Sequence, residues 1–139
     1  MSQNLDVLIV DDNEEVIWMI GNALDLAGFI VDAATTAEEG LEKVRTHPEV
    51  KAIVLNYVLP DMSGLQVLKQ LKGEGYGAEV IGISAFDDVK SRFLDAGAMA
   101  FLEKPFDLND LVRLCGEAVN GHGSPTDIKC SQTVSKERR

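Results

Sequence analysis

Short apolar runs rich in β-branched residues alternate with segments of helical periodicity over the first 120 residues. Several of the runs, such as VLIV and AIVL, contain no polar position, as expected for parallel strands that are covered on both faces. The predicted strands are Leu5–Val10, Phe29–Ala33, Ala52–Leu55, Val80–Ile83 and Met99–Leu102. The alternation predicts an α/β fold, a doubly wound parallel sheet of the (βα)₅ type.

The intervals between the strands carry helix signals. The first predicted helix ends at Gly28, and Trp18 lies off its apolar face. A fourth helix, weaker in pattern, is predicted from about Asp87 to Ala96, with Val89 and Phe93 facing inward. Capping residues mark three other helix starts. These are Thr36 with Glu39, Ser63 with Gln66, and Asp107 with Asp110.

Composition restricts the partners and the compartment. The net charge of −10 disfavours nucleic acid and anionic membrane surfaces as partners. No apolar stretch is long enough to span a bilayer, and the N-terminus has no basic segment, so we expect a cytoplasmic protein. Cys115 and Cys130 lack metal-ligand spacing and are predicted to be free thiols. Residues 1–120 are predicted to form one domain, and residues 121–139 a flexible C-terminal tail.

Polar side chains follow four of the predicted strands. Asp11 and Asp12 follow the first, Asn56 ends the third, Ser84 the fourth, and Lys104 the fifth. Ligands of open α/β sheets bind at this edge. Paired carboxylates suit Mg²⁺, although acidic residues also stabilise a helix N-terminus, and the pair alone does not separate the two roles.

Two other classes of protein with this fold are disfavoured by local sequence. A nucleotide or flavin site needs glycines and free N–H groups in the first strand-to-helix turn, where this chain has carboxylates. A serine hydrolase needs G-x-S-x-G around its nucleophile, and IGISAF has no glycine two residues after Ser84. A flavodoxin-like cofactor site and a serine nucleophile elbow are therefore both disfavoured.

Over about residues 4–120 the chain resembles the receiver domain of bacterial two-component response regulators. The segments that carry the resemblance are VLIVDDN, AIVLNYVLPDMSGLQVL, ISA and FLEKPF. The resemblance implies a flavodoxin-like strand order of 2-1-3-4-5 and a role in phosphorelay signalling. It also implies that the protein is not a conventional enzyme.

The resemblance also implies roles for individual residues. Mg²⁺ would be held by Asp11, Asp12 and the Val58 carbonyl. Ser84 would be the switch hydroxyl that binds a phosphoryl oxygen, Lys104 the cation that pairs with phosphoryl charge, and Phe101 the aromatic that moves inward on activation. The Lys104–Pro105 peptide bond would often be cis.

Asn56 departs from the family pattern, which has an aspartate as phosphoacceptor at that position. A carboxamide is a poor nucleophile, so no aspartyl-phosphate is expected at position 56. The change also removes a negative charge, so we expect Mg²⁺ to bind more weakly, with the Asn56 side-chain oxygen as a neutral ligand at best. Two explanations stay open: a natural pseudo-receiver or scaffold that acts without phosphorylation, and an ordinary receiver changed from Asp to Asn.

The expected partners are proteins. The resemblance implies a sensor histidine kinase or phosphotransfer protein on one side and a downstream effector protein or output domain on the other. The expected output face comprises the helix around residues 87–96 with Lys90, the strand with Phe101, and the helix at about 107–119. The sequence leaves open the kinase, the pathway, the oligomeric state and whether the chain is a whole single-domain regulator or an excised module.

Overall fold

A computed structural model describes residues 4–121, which form five strands and five α-helices. The strands are β1 (Val7–Val10), β2 (Val31–Ala34), β3 (Ala52–Asn56), β4 (Glu79–Ser84) and β5 (Ala100–Glu103). The helices are α1 (Glu14–Leu26), α2 (Ala37–Thr46), α3 (Gly64–Glu74), α4 (Lys90–Asp95) and α5 (Leu108–Gly116). Strand and helix alternate along the chain as the sequence predicts.

All five strands are parallel and lie in the order β2-β1-β3-β4-β5. This confirms the predicted fold class and strand order. The register pairs Val10 with Leu55 and Ser84 with Glu103. The last residues of β1, β3, β4 and β5 therefore end at one edge of the sheet, and the polar residues that follow or end them are brought together there.

Two apolar layers cover the sheet. Helices α2, α3 and α4 pack on one face around Leu8, Ile53 and Phe93, and helices α1 and α5 pack on the other around Ile9 and Ile81. Strands β1 and β3 are buried at every position. Burial on both faces explains why these strands carry continuous apolar runs instead of alternating polar and apolar residues.

Most predicted helix ends are confirmed, with two corrections. Ser63 and Gln66 form a complete capping box, and Gly28 follows α1 with a φ of 97°. Thr36 accepts a hydrogen bond from the Glu39 N–H, but the Glu39 carboxylate accepts from Thr35 instead of Thr36, so the predicted reciprocal box is wrong. The fourth helix begins as a 3₁₀ turn at Asp87–Val89, and only Lys90–Asp95 is α-helical.

The last helix continues beyond α5 as a π-helical turn at Glu117–Gly121. The predicted tail, 121–139, lies outside the described residues except for Gly121. Within residues 4–121 no helix has the length and apolar character that crossing a membrane requires.

Candidate functional site

Three polar side chains are buried in the part of the chain that the structure describes, and all three lie at the carboxyl edge of the sheet. Asp11 is 0% exposed, Asn56 6% and Ser84 1%. They follow or end the adjacent strands β1, β3 and β4. Burying polar groups costs free energy unless hydrogen bonds compensate, so their shared position marks this edge as the candidate site.

Both carboxylate oxygens of Asp11 have donors. Oδ1 accepts from the Asn13 N–H at 2.9 Å, and Oδ2 accepts from Lys104 Nζ at 3.0 Å. Lys104 is held in place by its own N–H, which donates to the Ser84 carbonyl at 2.7 Å, and it precedes a cis peptide bond to Pro105, as the resemblance implied. The neighbouring Asp12 is exposed. Asp11 and Lys104 therefore form an ion pair at the centre of the site, with a buried carboxylate and a partly exposed lysine.

The side chain of Asn56 turns towards the loop that follows β3. Its amide Nδ2 donates to the Val58 carbonyl oxygen at 2.7 Å. The loop is closed by the Gly64 N–H, which donates to the Tyr57 carbonyl at 2.7 Å. A Cβ at Gly64 would collide with the Asn56 backbone carbonyl, so this position requires glycine. Glycine at position 64 thus lets α3 start directly against the site.

Ser84 ends β4 and accepts a hydrogen bond from the Phe86 N–H at 2.9 Å. A hydroxyl can accept and donate at the same time, so this contact orients the oxygen while its hydrogen can still donate to a ligand. The predicted residues Asp11, Asn56, Ser84 and Lys104 are thus brought to one edge. The roles assigned to them remain predictions.

The donor set matches a divalent cation poorly. In residues 4–121 no group of three or more histidine, cysteine or acidic side chains could hold a metal ion. Mg²⁺ prefers octahedral oxygen ligands with one or two carboxylates and several waters. Here Asp11 and the Val58 carbonyl already accept hydrogen bonds from Lys104, Asn13 and Asn56. Of the two adjacent aspartates, Asp12 is the one exposed to solvent.

An aromatic cluster behind the site was missed by the sequence reasoning. The Phe93 ring lies 6.2 Å from Tyr57 and 5.5 Å from Phe101, centroid to centroid. Phe101 is half-buried, and Phe93 packs directly over Gly82 of β4. A glycine inside a strand often marks such a close approach, so Gly82 was the available signal. The cluster connects the residue after Asn56 with the strand that carries Phe101.

Asp61 provides a second connection that the sequence did not reveal. Its carboxylate accepts hydrogen bonds from the N–H groups of Ala37 at 2.8 Å and Glu38 at 2.9 Å. These two backbone donors at the start of α2 lower the pKa of Asp61 below its usual value. The loop after β3 is therefore tied to α2 by a carboxylate that lies 24 residues away from Ala37 in sequence.

Buried polar groups at the carboxyl edge of a five-stranded parallel sheet are typical of α/β proteins that bind a ligand at that edge. The family model of the response regulator receiver domain matches residues 7–115. The chain belongs to this family.

Known proteins agree with that membership. The response regulator MprA of Mycobacterium leprae is 37% identical over 109 residues, which is 76% of this chain and 47% of that protein. A CheY-like receiver domain from Methanospirillum hungatei has a TM-score of 0.78 at 25% identity, covering 93% of this chain and 99% of that one. A CheX–CheY complex with BeF₃ and Mg²⁺ from Borrelia burgdorferi has a TM-score of 0.76 at 28% identity, covering 81% and 87%.

The chain spans about half the length of the curated relative it matches. The family match and the similar structures confirm the resemblance to a receiver domain and the flavodoxin-like fold. Receiver domains typically bind Mg²⁺ and interact with kinases and output domains, and the relatives are response regulators, which are not conventional enzymes.

Proposed function

We propose that this chain is a receiver module of a two-component phosphorelay that signals through protein contacts and is not phosphorylated at Asn56. The observation that carries the proposal is the buried amide of Asn56 beside Ser84 and the Asp11–Lys104 ion pair. Three of the side chains that would serve a phosphoryl group are assembled at one edge. The position that would accept the group holds a carboxamide. Because a carboxamide is a poor nucleophile, we expect no aspartyl-phosphate there, and we expect no conventional enzymatic activity.

The chemistry follows from the side chains. Phosphoryl transfer needs an attacking oxygen in line with the leaving group, and the rest is positioning and charge stabilisation. The Ser84 hydroxyl would donate to one phosphoryl oxygen, and the Lys104 ammonium would offset phosphoryl charge. The Asn56 carboxamide oxygen carries only the partial negative charge that the delocalised nitrogen lone pair gives it, so its attack on phosphorus is disfavoured.

We keep weakened Mg²⁺ binding as the prediction for this chain. Asp11, Asp12 and the Val58 carbonyl would be its ligands, with the Asn56 side-chain oxygen as a neutral fourth. Loss of one negative charge at position 56 lowers the affinity, and the hydrogen bond from Asn56 to Val58 competes with the ion.

The partners we propose are a sensor kinase or phosphotransfer protein and a downstream effector or output domain, in the cytoplasm. An apolar groove of about 530 Å³, lined in part by Met19, Pro105 and Phe106, opens beside Lys104 and offers a surface next to the site. The proposed output face is α4, β5 and α5, with Phe101 and Lys90. Unchanged partner binding after substitution of Phe101 and of Lys90 would contradict that assignment.

The test is the intact mass after incubation with acetyl phosphate and Mg²⁺, for this chain and for Asn56→Asp in parallel. We expect only Asn56→Asp to gain one phosphoryl group, because only it offers a carboxylate nucleophile. Asn56→Ala serves as the control that lacks both amide and carboxylate. A phosphoryl adduct at Asn56 would overturn the proposal.

A second candidate is a pseudo-receiver or scaffold that uses no phosphoryl chemistry in any form. The hydrogen bond from Asn56 to the Val58 carbonyl favours this candidate, because it engages a backbone group of the loop beside the position where a phosphorylated aspartate would lie. If Asn56→Asp also fails to gain a phosphoryl group, the scaffold replaces the phosphorelay receiver as the proposed function.

A further inference from the structure

The ligands that a cation would use are already engaged by donors of the protein itself. The Val58 carbonyl accepts from Asn56 Nδ2 at 2.7 Å. Asp11 accepts from the Lys104 ammonium at 3.0 Å and from the Asn13 N–H at 2.9 Å. Direct binding of a cation through Val58 would require the Asn56 amide to release that carbonyl.

The buried charge at this edge is also paired without an ion. The register pairs Val10 with Leu55, so Asp11 and Asn56 follow at neighbouring positions of adjacent strands. With aspartate at position 56, two adjacent buried carboxylates would share one lysine, and their repulsion would need a further cation. With Asn56, the buried charge of Asp11 is paired with Lys104, and within residues 4–121 it does not share that lysine with a second buried carboxylate.

The amide and the ion would perform the same structural task. A cation at this edge binds a carbonyl and offsets a carboxylate. The Asn56 amide donates to that carbonyl and removes the second carboxylate. The loop between β3 and α3 is in addition closed by the hydrogen bond from Gly64 to Tyr57.

We propose that the Asn56 amide takes the structural place of the divalent cation, so that this site and the loop of residues 57–63 are ordered without metal. This goes beyond the proposed function, which concerns phosphorylation, partners and a weakened affinity for Mg²⁺, and not the structural order of the loop. The mass experiment with acetyl phosphate and the experiment below can fail independently, because the latter uses neither phosphodonor nor partner.

The experiment compares the chain with Asn56→Asp and Asn56→Ala, each with and without millimolar Mg²⁺. NaCl of equal ionic strength serves as the control, because added salt screens the repulsion among the charges of an acidic protein whether or not Mg²⁺ binds. Two properties are measured: the midpoint of thermal unfolding, and hydrogen exchange of the backbone amides of residues 57–63. The second readout reports on the loop itself.

We expect Mg²⁺ to leave both properties of the unaltered chain within error of the NaCl control. Asn56→Asp is expected to exchange faster in the loop without Mg²⁺, and to gain roughly 5 °C in its midpoint at about ten times its Kd for Mg²⁺. The affinity of the unaltered chain for Mg²⁺, measured by calorimetry, should be at least about tenfold weaker than that of Asn56→Asp.

Asn56→Ala separates the effect of the Asn56–Val58 hydrogen bond from the effect of a carboxylate charge at position 56, because it removes the amide donor without adding a carboxylate. We expect faster loop exchange than in the unaltered chain, with or without Mg²⁺. Equal stabilisation of the unaltered chain and of Asn56→Asp by Mg²⁺ would overturn the proposal. Loop exchange in Asn56→Ala as slow as in the unaltered chain would overturn it too, since the amide would then contribute nothing to the order of the loop.

Discussion

Replacing Lys104 by methionine would remove the counterion of a carboxylate that is 0% exposed. The two charged atoms lie 3.0 Å apart, and at an effective dielectric constant of about 20 their attraction is roughly 5 kcal/mol. Part of this is offset by the cost of desolvating the lysine, whose side chain is 24% exposed. Breaking a buried pair by removing one partner costs about 3–5 kcal/mol in general.

Asp11 retains the hydrogen bond from the Asn13 N–H after the substitution. We therefore expect a somewhat smaller loss in the free energy of unfolding, about 2–4 kcal/mol. The assay is urea unfolding followed by far-UV circular dichroism. Fluorescence is less suitable, because Trp18 is 68% exposed already in the folded state and reports little of its own burial.

The matched control is Asp11→Asn combined with Lys104→Met. Asparagine at position 11 can still accept from the Asn13 N–H, and no buried charge is then left unpaired, so the double variant should be more stable than Lys104→Met alone. A Lys104→Met variant as stable as the unaltered chain would refute the reasoning. So would simple additivity of the two single changes, because additivity would mean that the two residues do not interact in the folded state.

Three further predictions rest on other parts of the domain. Gly82→Ala would place a Cβ 2.5 Å from Phe93 Cδ2, and we expect urea unfolding to show a loss of about 1–3 kcal/mol; an unchanged midpoint would contradict the packing. The backbone hydrogen bonds that lower the pKa of Asp61 stabilise the folded state at pH values above the unfolded-state pKa of about 3.9. This contribution is lost as the pH falls through the lower pKa of the folded state. Asp61→Asn should accordingly be less stable than the unaltered chain at pH 7, and thermal unfolding at falling pH should show the difference shrinking below about pH 4; a constant difference would refute this. Burial raises the pKa of Cys115 to about 12, so iodoacetamide at mildly alkaline pH should leave Cys115 unlabelled in the folded protein and label it in urea, as read by peptide mapping; labelling in both states would contradict the burial.

The fold could be predicted from sequence because its signals are local and repeated. Buried parallel strands are apolar at every position, and Gly28 and Ser63 mark helix ends by local backbone chemistry. Strand boundaries were less accurate: β2 begins at Val31 and not at Phe29. Propensity does not fix a boundary that depends on which backbone groups find a partner in the neighbouring strand.

The positions of the site residues could also be predicted, because topology alone brings the carboxyl ends of parallel strands to one edge. The aromatic cluster and the carboxylate of Asp61 could not, because both depend on contacts between distant segments. Phe93 was expected to face inward, but nothing in the sequence says which two rings it meets. The position of Gly82 in a buried strand indicated close packing without naming the partner.

Asn56 shows where sequence reasoning reaches its limit at this site. The residue type predicts the lost nucleophile and the lost charge, and both follow from the difference between a carboxylate and a carboxamide. A carboxamide also has two N–H donors that a carboxylate lacks, and where they point depends on the conformation of the following loop. In the structure one donor meets the Val58 carbonyl, so asparagine at this position supplies a hydrogen bond and lacks the charge that an aspartate would carry. The missing charge is the reason for expecting no phosphoryl group at Asn56, and the hydrogen bond to Val58 is the reason for expecting the loop to be ordered without an ion.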